Sequence, residues 1–282
     1  MIMASIIVPT DFSENAYNAL FYASQLFPAE DCSIYLVHSY ERSLKDTISK
    51  MDPVANEVII AKLRATVHCQ LEQLSHRIQL DCAGQKLKVE LMYAALPLND
   101  IINDLIENLD VHFVVMGTKG ASGLKEIFLG SQAVDTIKNI NPIPLFLISE
   151  NVDYVCPKKI AYATDLKQYN QQENIAFLIK MINAKNSKLE LVHFHDQSDI
   201  FDEVQPHFEK FKDQLKDVEF TTHWMLSEHS LEADIKNFCE KQSVHLLVLL
   251  LHKYSFLKNL IKTSTVEKIS FQANLPLLIL PE

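Results

Sequence analysis

Four of the five glycines in this 282-residue chain lie within fourteen consecutive positions, at Gly117, Gly120, Gly123 and Gly130. Glycine tolerates positive φ angles and lets another group approach the backbone closely. Ser131 follows the last of them, and serine is a residue type that caps helices. Backbone N–H groups of such a turn, added to the free N–H groups of a helix start, create an anion site. The spacing therefore predicts a loop that binds phosphate between residues 117 and 131.

The opposite wall of this site is predicted at the end of the first strand, in the segment VPTD. The Asp11 carboxylate is able to accept hydrogen bonds from a base amino group or from a ribose hydroxyl. The segment TDFSENA is also typical of a helix start, so Asp11 could instead cap a helix. The residues alone leave both interpretations open, because Asp165 recurs in the second half without a glycine loop.

The glycine loop differs from two common phosphate-binding motifs. No Gly-Lys-Ser/Thr sequence closes it, as in a Walker A loop, and no GxGxxG follows the first strand, as in dinucleotide-binding folds. No pair of carboxylates has acid/base spacing, and the sequence indicates no catalytic residues. His193 and His195 have the HxH spacing of a metal site, but the corresponding His38 has no second histidine. We therefore expect a histidine at a strand end with a local hydrogen bond, and no metal ligands.

The elements that must position this loop occur twice. Thr10 and Thr164, each followed by aspartate, are 154 positions apart, and His38 and His193 are 155 apart. Two later landmarks, Val111-His112 with Val244-His245 and Pro144 with Pro276, are separated by 133 and 132 positions. Recurrence of four landmarks in one order indicates a duplication. The predicted domains are residues 1–150, which carry the glycine loop, and residues 151–282.

The drop in spacing, from 155 to 133, places about 22 additional residues between His38 and Val111. This stretch is interpreted as a polar loop that ends near Asp52-Pro53, followed by one long helix with apolar residues at near-helical spacing.

Each half alternates strands and helices, which predicts an α/β fold with parallel strands. We expect two tandem Rossmann-like domains, each with a five-stranded parallel sheet flanked by helices. Apolar runs such as SIIV and HFVVM are typical of strands buried on both faces. The predicted strands lie near 4–10, 32–38, 87–95, 111–117 and 144–149, and near 157–164, 187–194, 218–226, 244–250 and 276–280.

Composition limits the classes of partner. A net charge of −10 argues against a broad surface for nucleic acid or an anionic membrane. Apolar runs such as residues 246–251 are too short to span a bilayer, and the first residues do not form a signal peptide. Five cysteines without a CxxC pair favour reduced thiols in a cytoplasmic protein: Cys32, Cys69, Cys82, Cys156 and Cys239.

The spacing Gly117-x2-Gly120-x9-Gly130-Ser131 resembles the G-x2-G-x9-G-S/T motif of the universal stress protein family. VPTDFSENA, YLVHSY and NPIPLFLI resemble that family's first, second and last strands, and the resemblance covers the whole chain as two tandem copies. Members pair through their last strands. The resemblance implies that this pair forms within the chain, as an internal pseudo-dimer with 144–149 beside 276–280. A further homodimer is left open.

The resemblance also implies a cytoplasmic stress-response or regulatory protein that binds ATP or another adenine nucleotide, with or without Mg²⁺. Carried over by position, the residues that would line adenine and ribose are Pro9, Thr10, Asp11 and Ser39. Those that would hold ribose and phosphates are Met116, Gly117, Gly120, Gly130, Ser131 and Gln132.

The second copy departs from the motif. Leu249 stands at the position of Gly117, His252 at that of Gly120, and Lys262-Thr263 at that of Gly130-Ser131. We therefore predict one nucleotide site per chain and a degenerate second site. Two alternatives are an adenylyl-transfer or slow ATP-hydrolysing enzyme and a ligand-free interaction module. Four glycines in the loop of one copy, against none in the loop of the other, argue against the module.

Overall fold

A computed structural model of the chain describes residues 4–27, 32–48, 53–118, 131–164, 166, 172–195, 201–228, 230–250 and 275–281. The described residues divide into two compact units, with unit 1 ending at Ile143 and unit 2 beginning at Pro144. The sequence repeat predicts a domain boundary at 150. The boundary at 150 comes from the similarity between the two sequence repeats, whereas the boundary at 143/144 comes from which residues pack together.

Unit 1 contains a parallel sheet with the strand order β3-β2-β1-β4. Its strands are β1 (Ala4–Pro9), β2 (Cys32–Ser39), β3 (Lys88–Ala94) and β4 (Phe113–Gly117). Its helices are α1 (Glu14–Leu26), α2 (Glu41–Ile48), α3 (Pro53–Asp81), α4 (Leu98–Asn108) and α5 (Ser131–Asn139). Helix α1 packs on β1, β4 and α3, whereas α4 packs on β2 and α5. The predicted apolar runs are buried, with Ile6, Val8 and Phe113 fully inaccessible.

Unit 2 contains strands in the order β5-β10-β9-β6-β7-β8. They are β5 (Leu145–Ile148), β6 (Lys159–Ala163), β7 (Lys188–His195), β8 (Phe220–Leu226), β9 (Leu246–Leu250) and β10 (Leu277–Leu280). The helices are α6 (Gln172–Lys185), α7 (Phe201–Gln214) and α8 (Leu231–Gln242). The ladders among β6 to β10 are parallel, and the ladder between β5 and β10 is antiparallel. The predicted α/β class with a mostly parallel sheet is confirmed.

The last strands of the two repeats pair with each other. Leu277 lies opposite Leu147, and Leu278 lies opposite Phe146. These side chains are nearly or fully inaccessible, so the ladder joins two apolar strands in a buried position. The predicted placement of 144–149 beside 276–280 is confirmed. It also explains why β5 is grouped with unit 2, although its sequence belongs to the first repeat.

The prediction for the additional stretch was partly wrong. Residues 41–48 form α2, where a polar loop was expected. Pro53 begins α3, which suits proline because its missing N–H is not needed in the first turn. The single long helix is confirmed, and its 29 residues compare with 14 in α7. The fully buried residues of α3 occur from Val67 onward, whereas Val58 is 71% exposed. The helical period alone does not show which half of a helix packs.

In each unit, a histidine forms hydrogen bonds with the backbone at the start of a strand, β1 in unit 1 and β6 in unit 2. In unit 1, the Ser5 N–H donates to His112 Nδ1 at 3.3 Å, and the His112 N–H donates to the Ser5 carbonyl at 2.9 Å. In unit 2, the Lys159 N–H donates to His245 Nδ1 at 3.1 Å, and the His245 N–H donates to the Lys159 carbonyl at 2.9 Å. The structural interpretation of these repeated histidines is confirmed.

Among the described helices, none combines the length and the apolar character needed to cross a membrane.

Candidate functional site

The turn after β1 is held together by its own side chains. Thr10 continues the ladder, since its N–H donates to the Val37 carbonyl at 2.8 Å. The Thr10 hydroxyl then accepts from the Phe12 N–H at 3.0 Å. Phe12 has a φ of 65°, the left-handed conformation that such a turn requires. Short polar side chains that bond nearby backbone groups fix turns in this way. The carboxyl end of β1 is therefore a defined structure before any ligand is considered.

Asp11 lies within this turn and supports the helix start without being the cap itself. Its Oδ1 accepts from the Ser13 N–H at 3.1 Å and from the Ser13 hydroxyl at 2.6 Å. Ser13 is the N-cap of α1, where its hydroxyl accepts from the Ala16 N–H at 3.2 Å. The two interpretations of Asp11 are thus compatible in geometry, because the carboxylate holds the cap and remains partly exposed. Its role toward a ligand stays a prediction.

His38 fixes the same turn from the neighbouring strand. Its Nδ1 lies 2.7 Å from the Thr10 carbonyl oxygen, and its ring centroid lies 4.4 Å from that of Phe12. A carbonyl only accepts hydrogen bonds, so Nδ1 carries the proton. Burial lowers the pKa of His38, while the Thr10 bond and the Asp11 charge oppose that shift. A neutral ring therefore holds the turn, and the predicted local hydrogen bond of a strand-end histidine is confirmed.

Ser39, the last residue of β2, ties this strand to the segment that follows β3. Its hydroxyl donates to the Leu96 carbonyl at 2.5 Å. The next residue reinforces the link, because the Tyr40 N–H donates to the Ala94 carbonyl at 3.0 Å. Ser39 is partly exposed, and its hydroxyl oxygen retains lone pairs for a further donor. The structure shows that Ser39 links β2 to the segment after β3, and its predicted role beside the adenine and ribose stays a prediction.

Gly117, which ends β4, lies directly against the start of α1. A Cβ placed on Gly117 would be 2.7 Å from Asn15 Oδ1 and 3.1 Å from the Asn15 carbonyl oxygen. Real Cβ atoms do not approach that closely, so a larger residue would push the helix away from the strand. The sequence interpretation attributed this glycine to close approach by a ligand. The structure adds a reason within the protein, which spacing along the chain could not reveal.

Asn15 brings the two predicted walls of the site together. It is 6% exposed and follows the Asp11 turn by four residues, while Gly117 is about a hundred residues further along the chain. Next to Gly117, the Thr118 hydroxyl is buried and has no hydrogen-bond partner among the described residues. An unsatisfied buried hydroxyl typically costs about 1–3 kcal/mol. A polar group is therefore buried where the glycine loop begins.

The middle of α5 is held against α4 by a partly buried polar network. The Thr136 hydroxyl donates to Asn99 Oδ1 at 3.0 Å, and Asn99 Nδ2 donates to Asp135 Oδ2 at 2.7 Å. Asn99 belongs to α4, so this network fixes α5 against α4. Ser131 was expected to cap α5 and is instead its first helical residue, and both Ser131 and Gln132 are exposed. The first N–H groups of a helix have no partner within the helix, so this end is suited to an anion.

The predicted site residues fall into three groups. The structure places Pro9, Thr10, Asp11 and Ser39 at the carboxyl ends of β1 and β2. Met116 and Gly117 end β4, and Ser131 and Gln132 begin α5. Gly120, Gly123 and Gly130 lie outside the described residues, as do Asp165, His252 and Lys262-Thr263 of the second repeat. The carboxyl ends of neighbouring parallel strands lie at one edge of a sheet, which is where open α/β sheets bind ligands.

The HxH pair of unit 2 is engaged in packing. The His193 and His195 rings stack with centroids 6.2 Å apart, and the Trp224 ring meets His193 edge-on at 5.1 Å. His193 Nδ1 lies 3.0 Å from the Thr164 carbonyl oxygen, as His38 does with Thr10. Within the described part of the chain, no group of three His, Cys, Asp or Glu side chains is arranged to hold a metal ion.

Comparisons with known proteins agree with this architecture. A sequence model of the universal stress protein family matches residues 3–145. Universal stress protein MJ0577 of Methanocaldococcus jannaschii is 29% identical over 159 residues, which is 52% of this chain and 95% of that protein.

Solved structures cover the whole length of the chain. A universal stress protein from Archaeoglobus fulgidus covers 100% of this chain and 97% of its own, with a TM-score of 0.67 and 16% identity. Protein PA1789 from Pseudomonas aeruginosa, of unknown function, covers 99% of this chain and 92% of its own, with a TM-score of 0.56 and 12% identity. At these identities the two structures show a shared fold. The matching family model spans half of the 282 residues, and the chain therefore belongs to the universal stress protein family.

Proposed function

We propose that unit 1 binds ATP or a related adenine nucleotide at the carboxyl ends of β1, β2 and β4, as part of a stress-response or regulatory protein. The observation that carries the proposal is the contact between Asn15 and Gly117. Through it, the Asp11 turn and the start of the glycine loop lie side by side. A nucleotide needs both, because its base and sugar require a polar wall and its phosphates require backbone donors.

Each part of the nucleotide has a proposed partner. The Asp11 carboxylate accepts from ribose hydroxyls or the adenine amino group, beside Pro9, Thr10 and Ser39. The backbone from Met116 to Gly117 lies along the sugar. The phosphates are bound by Gly120, Gly130, Ser131 and Gln132, where loop N–H groups and the start of α5 converge. Mg²⁺, where present, is carried by the phosphates, because this ion is usually bound through few protein ligands.

The described side chains at this site favour binding over rapid turnover. His38 is partly buried and donates to the Thr10 carbonyl, so it is held as a structural donor. Asp11 Oδ1 is engaged with Ser13. Neither is placed as a general base next to a nucleophile, which rapid hydrolysis requires. We therefore propose a protein that senses or carries the nucleotide.

Cytoplasmic location is part of the proposal and is supported by the thiols. All five cysteines are free, and burial raises the pKa of Cys32 and of Cys239 to about 12. Thiols with such pKa values are nearly all protonated at neutral pH and therefore unreactive. Free, unreactive cysteines are typical of proteins in reducing compartments.

The test is titration calorimetry of the full chain with ATP, ADP and AMP, with and without Mg²⁺. We expect saturable binding of at least one of them with one site per chain. Gly130→Val should abolish the heat, and Thr263→Ala, the matched control in the second repeat, should leave affinity and stoichiometry unchanged. No heat and no thermal shift with any nucleotide would overturn the proposal. Rapid release of ADP from ATP would instead favour the enzyme alternative.

A further inference from the structure

A groove of about 480 Å³ lies between α3 and β3, on a part of unit 1 that the proposed nucleotide site does not use. Ligand sites in proteins commonly have volumes of about 300–1,000 Å³. The lining residues that matter here are Ile60, Ala61, Arg64, Ala65, His68 and Tyr93. Glu57 completes the lining at one end.

The groove is made by the part of α3 that has no counterpart in α7. Its helical lining residues fall between positions 57 and 68 and recur every three or four residues, so they share one face. The residues of α3 that enter the core begin at Val67 and continue to Leu71 and Ile78. Helix α3 is 29 residues long and α7 is 14. The additional residues of the first repeat therefore build this face.

The base of the groove is aromatic. Tyr93, on the edge strand β3, is partly buried. Its ring centroid lies 5.7 Å from that of His68 and 6.4 Å from that of Tyr40. Ala61 and Ala65 are exposed and add only methyl groups to the helix side, which leaves room above the Tyr93 ring. A flat aromatic group fits such a space, because rings pack well in offset or edge-on arrangements.

Arg64 supplies the charge. It is exposed and makes no hydrogen bond or ion pair with any residue in the described ranges. Arg77, further along the same helix, shows the usual alternative, with two 3.0 Å hydrogen bonds to Glu14 and a position 3.6 Å above the Tyr17 ring. An arginine fork matches a carboxylate with two parallel hydrogen bonds. An available guanidinium beside an apolar groove is notable in a chain with a net charge of −10.

We propose that this groove binds a small aromatic compound with one negative charge, such as an aromatic carboxylate. Its ring lies against Tyr93 over Ala61 and Ala65, and its carboxylate pairs with Arg64. A single charge suits the site better than a polyphosphate, because Glu57 lies about 10 Å along the helix from Arg64 and Glu72 pairs with His68 at 3.4 Å. The groove is thus a second ligand site, separate from the proposed nucleotide site.

The test uses 2-naphthoate and its neutral analogue 2-naphthamide, titrated into isotope-labelled full-length protein and followed by chemical shifts. We expect saturable 2-naphthoate binding with shifts confined to residues 57–68 and the neighbourhood of Tyr93. The neutral analogue should bind about tenfold more weakly, which is the size of one charge-assisted hydrogen bond. No shifts at these residues up to millimolar ligand would overturn the proposal.

Substitutions at two exposed positions test separately how the charge of Arg64 and the space in the groove contribute to binding. Arg64→Gln should reduce 2-naphthoate affinity to that of 2-naphthamide and leave 2-naphthamide unchanged. Ala65→Leu keeps a good helix former and fills the space, so it should abolish binding of both. Arg42→Gln, on α2, is the matched control and should change neither. Equal effects of Arg64→Gln and Arg42→Gln, or displacement of 2-naphthoate by ATP, would contradict a separate site.

Discussion

The two sequence repeats share the turn that follows their first strands, β1 and β6, and differ in what faces it. In both, a threonine hydroxyl accepts from the N–H two residues later, at 3.0 Å in Phe12 and 3.1 Å in Leu166. Both of those residues have positive φ angles, and both turns are bonded by a histidine from the next strand. Near the end of the fourth strand of each repeat, however, β4 has Gly117 and β9 has Leu249. The hydrogen-bonded turn is therefore common to both units, whereas the residue on the strand that faces it is not.

The buried asparagine at the start of the first helix shows how each unit accommodates its own residue. In unit 1, Asn15 lies against the bare backbone of Gly117. In unit 2, Asn174 is likewise buried near the start of α6, and it donates from Nδ2 to the Pro281 carbonyl at 2.6 Å. Leu249 is 4% exposed and so occupies core volume where unit 1 keeps a glycine. A buried asparagine near the start of each helix thus has a different neighbour in each unit, and loss of the glycine marks the unit that we propose has no nucleotide site.

The largest effect is expected from Leu249→Gly, which gives unit 2 the residue of unit 1. Loss of a buried leucine should lower the free energy of unfolding by about 4 kcal/mol, because a cavity remains where the side chain was. The variant should not gain a second nucleotide site, since the rest of the glycine motif is missing. Urea unfolding and calorimetric stoichiometry measure the two outcomes. Two nucleotides per chain would break the comparison.

The reverse exchange, Gly117→Leu, should destabilise unit 1 by about 3 kcal/mol through overpacking against Asn15. It should also abolish nucleotide binding. The smaller Gly117→Ala tests the contact directly, because Asn15→Ala in the same chain should relieve part of its cost. A double-mutant cycle on urea unfolding measures this coupling. Strict additivity of the two alanine substitutions would show that the contact is not limiting.

A smaller effect is expected from Asp11→Asn. The amide oxygen can still accept from Ser13, so the turn should persist and stability should change by less than about 0.5 kcal/mol. Loss of the charge should weaken nucleotide binding about tenfold, as expected for one charge-assisted hydrogen bond. Calorimetry and thermal unfolding measure the two quantities. Unchanged affinity would show that Asp11 serves only the helix start.

Some of the structural features behind these predictions could be predicted from the sequence, and others could not. The strands could be predicted, because apolar runs are local signals. The β5–β10 pair was expected from the resemblance to a family whose members pair through their last strands. The Asn15–Gly117 contact could not, since it joins residues 102 positions apart with no recurring spacing. Helix α2 was missed because its polar residues are also typical of a loop. The turn at Thr10 could be located, whereas its hydrogen bonds depend on the left-handed conformation of Phe12.

The smallest effect concerns pH. Burial lowers the pKa of His38 in the folded protein, so the unfolded chain binds this proton at a higher pH. The corresponding stability is complete above the unfolded value of about 6.5 and is lost as the pH falls below it toward the folded value. His38→Asn keeps an amide donor near the Thr10 carbonyl and removes the titration.

The measurement is urea unfolding at pH 7.5 and at pH 5.5. Between these values, the wild type should lose more stability than His38→Asn. His76→Asn, at an exposed position on α3, is the control and should follow the wild type. An identical pH dependence in the wild type and in His38→Asn would contradict the assignment of a partly buried, neutral ring at His38.

The β5–β10 ladder has a consequence for synthesis. Ile148 ends β5, and Leu277 begins β10, so 128 residues must be made between the two strands. At a translation rate of about 5–20 residues per second, β5 waits roughly 6–26 s for its partner. During that time a short, wholly apolar strand lacks the ladder that covers it, and exposed strand edges promote association between chains. A ribosome that stalls before residue 277 would therefore release a chain whose first repeat is complete in sequence but whose β5 has no β10 to pair with. The unpaired edge of β5 would promote association between such chains.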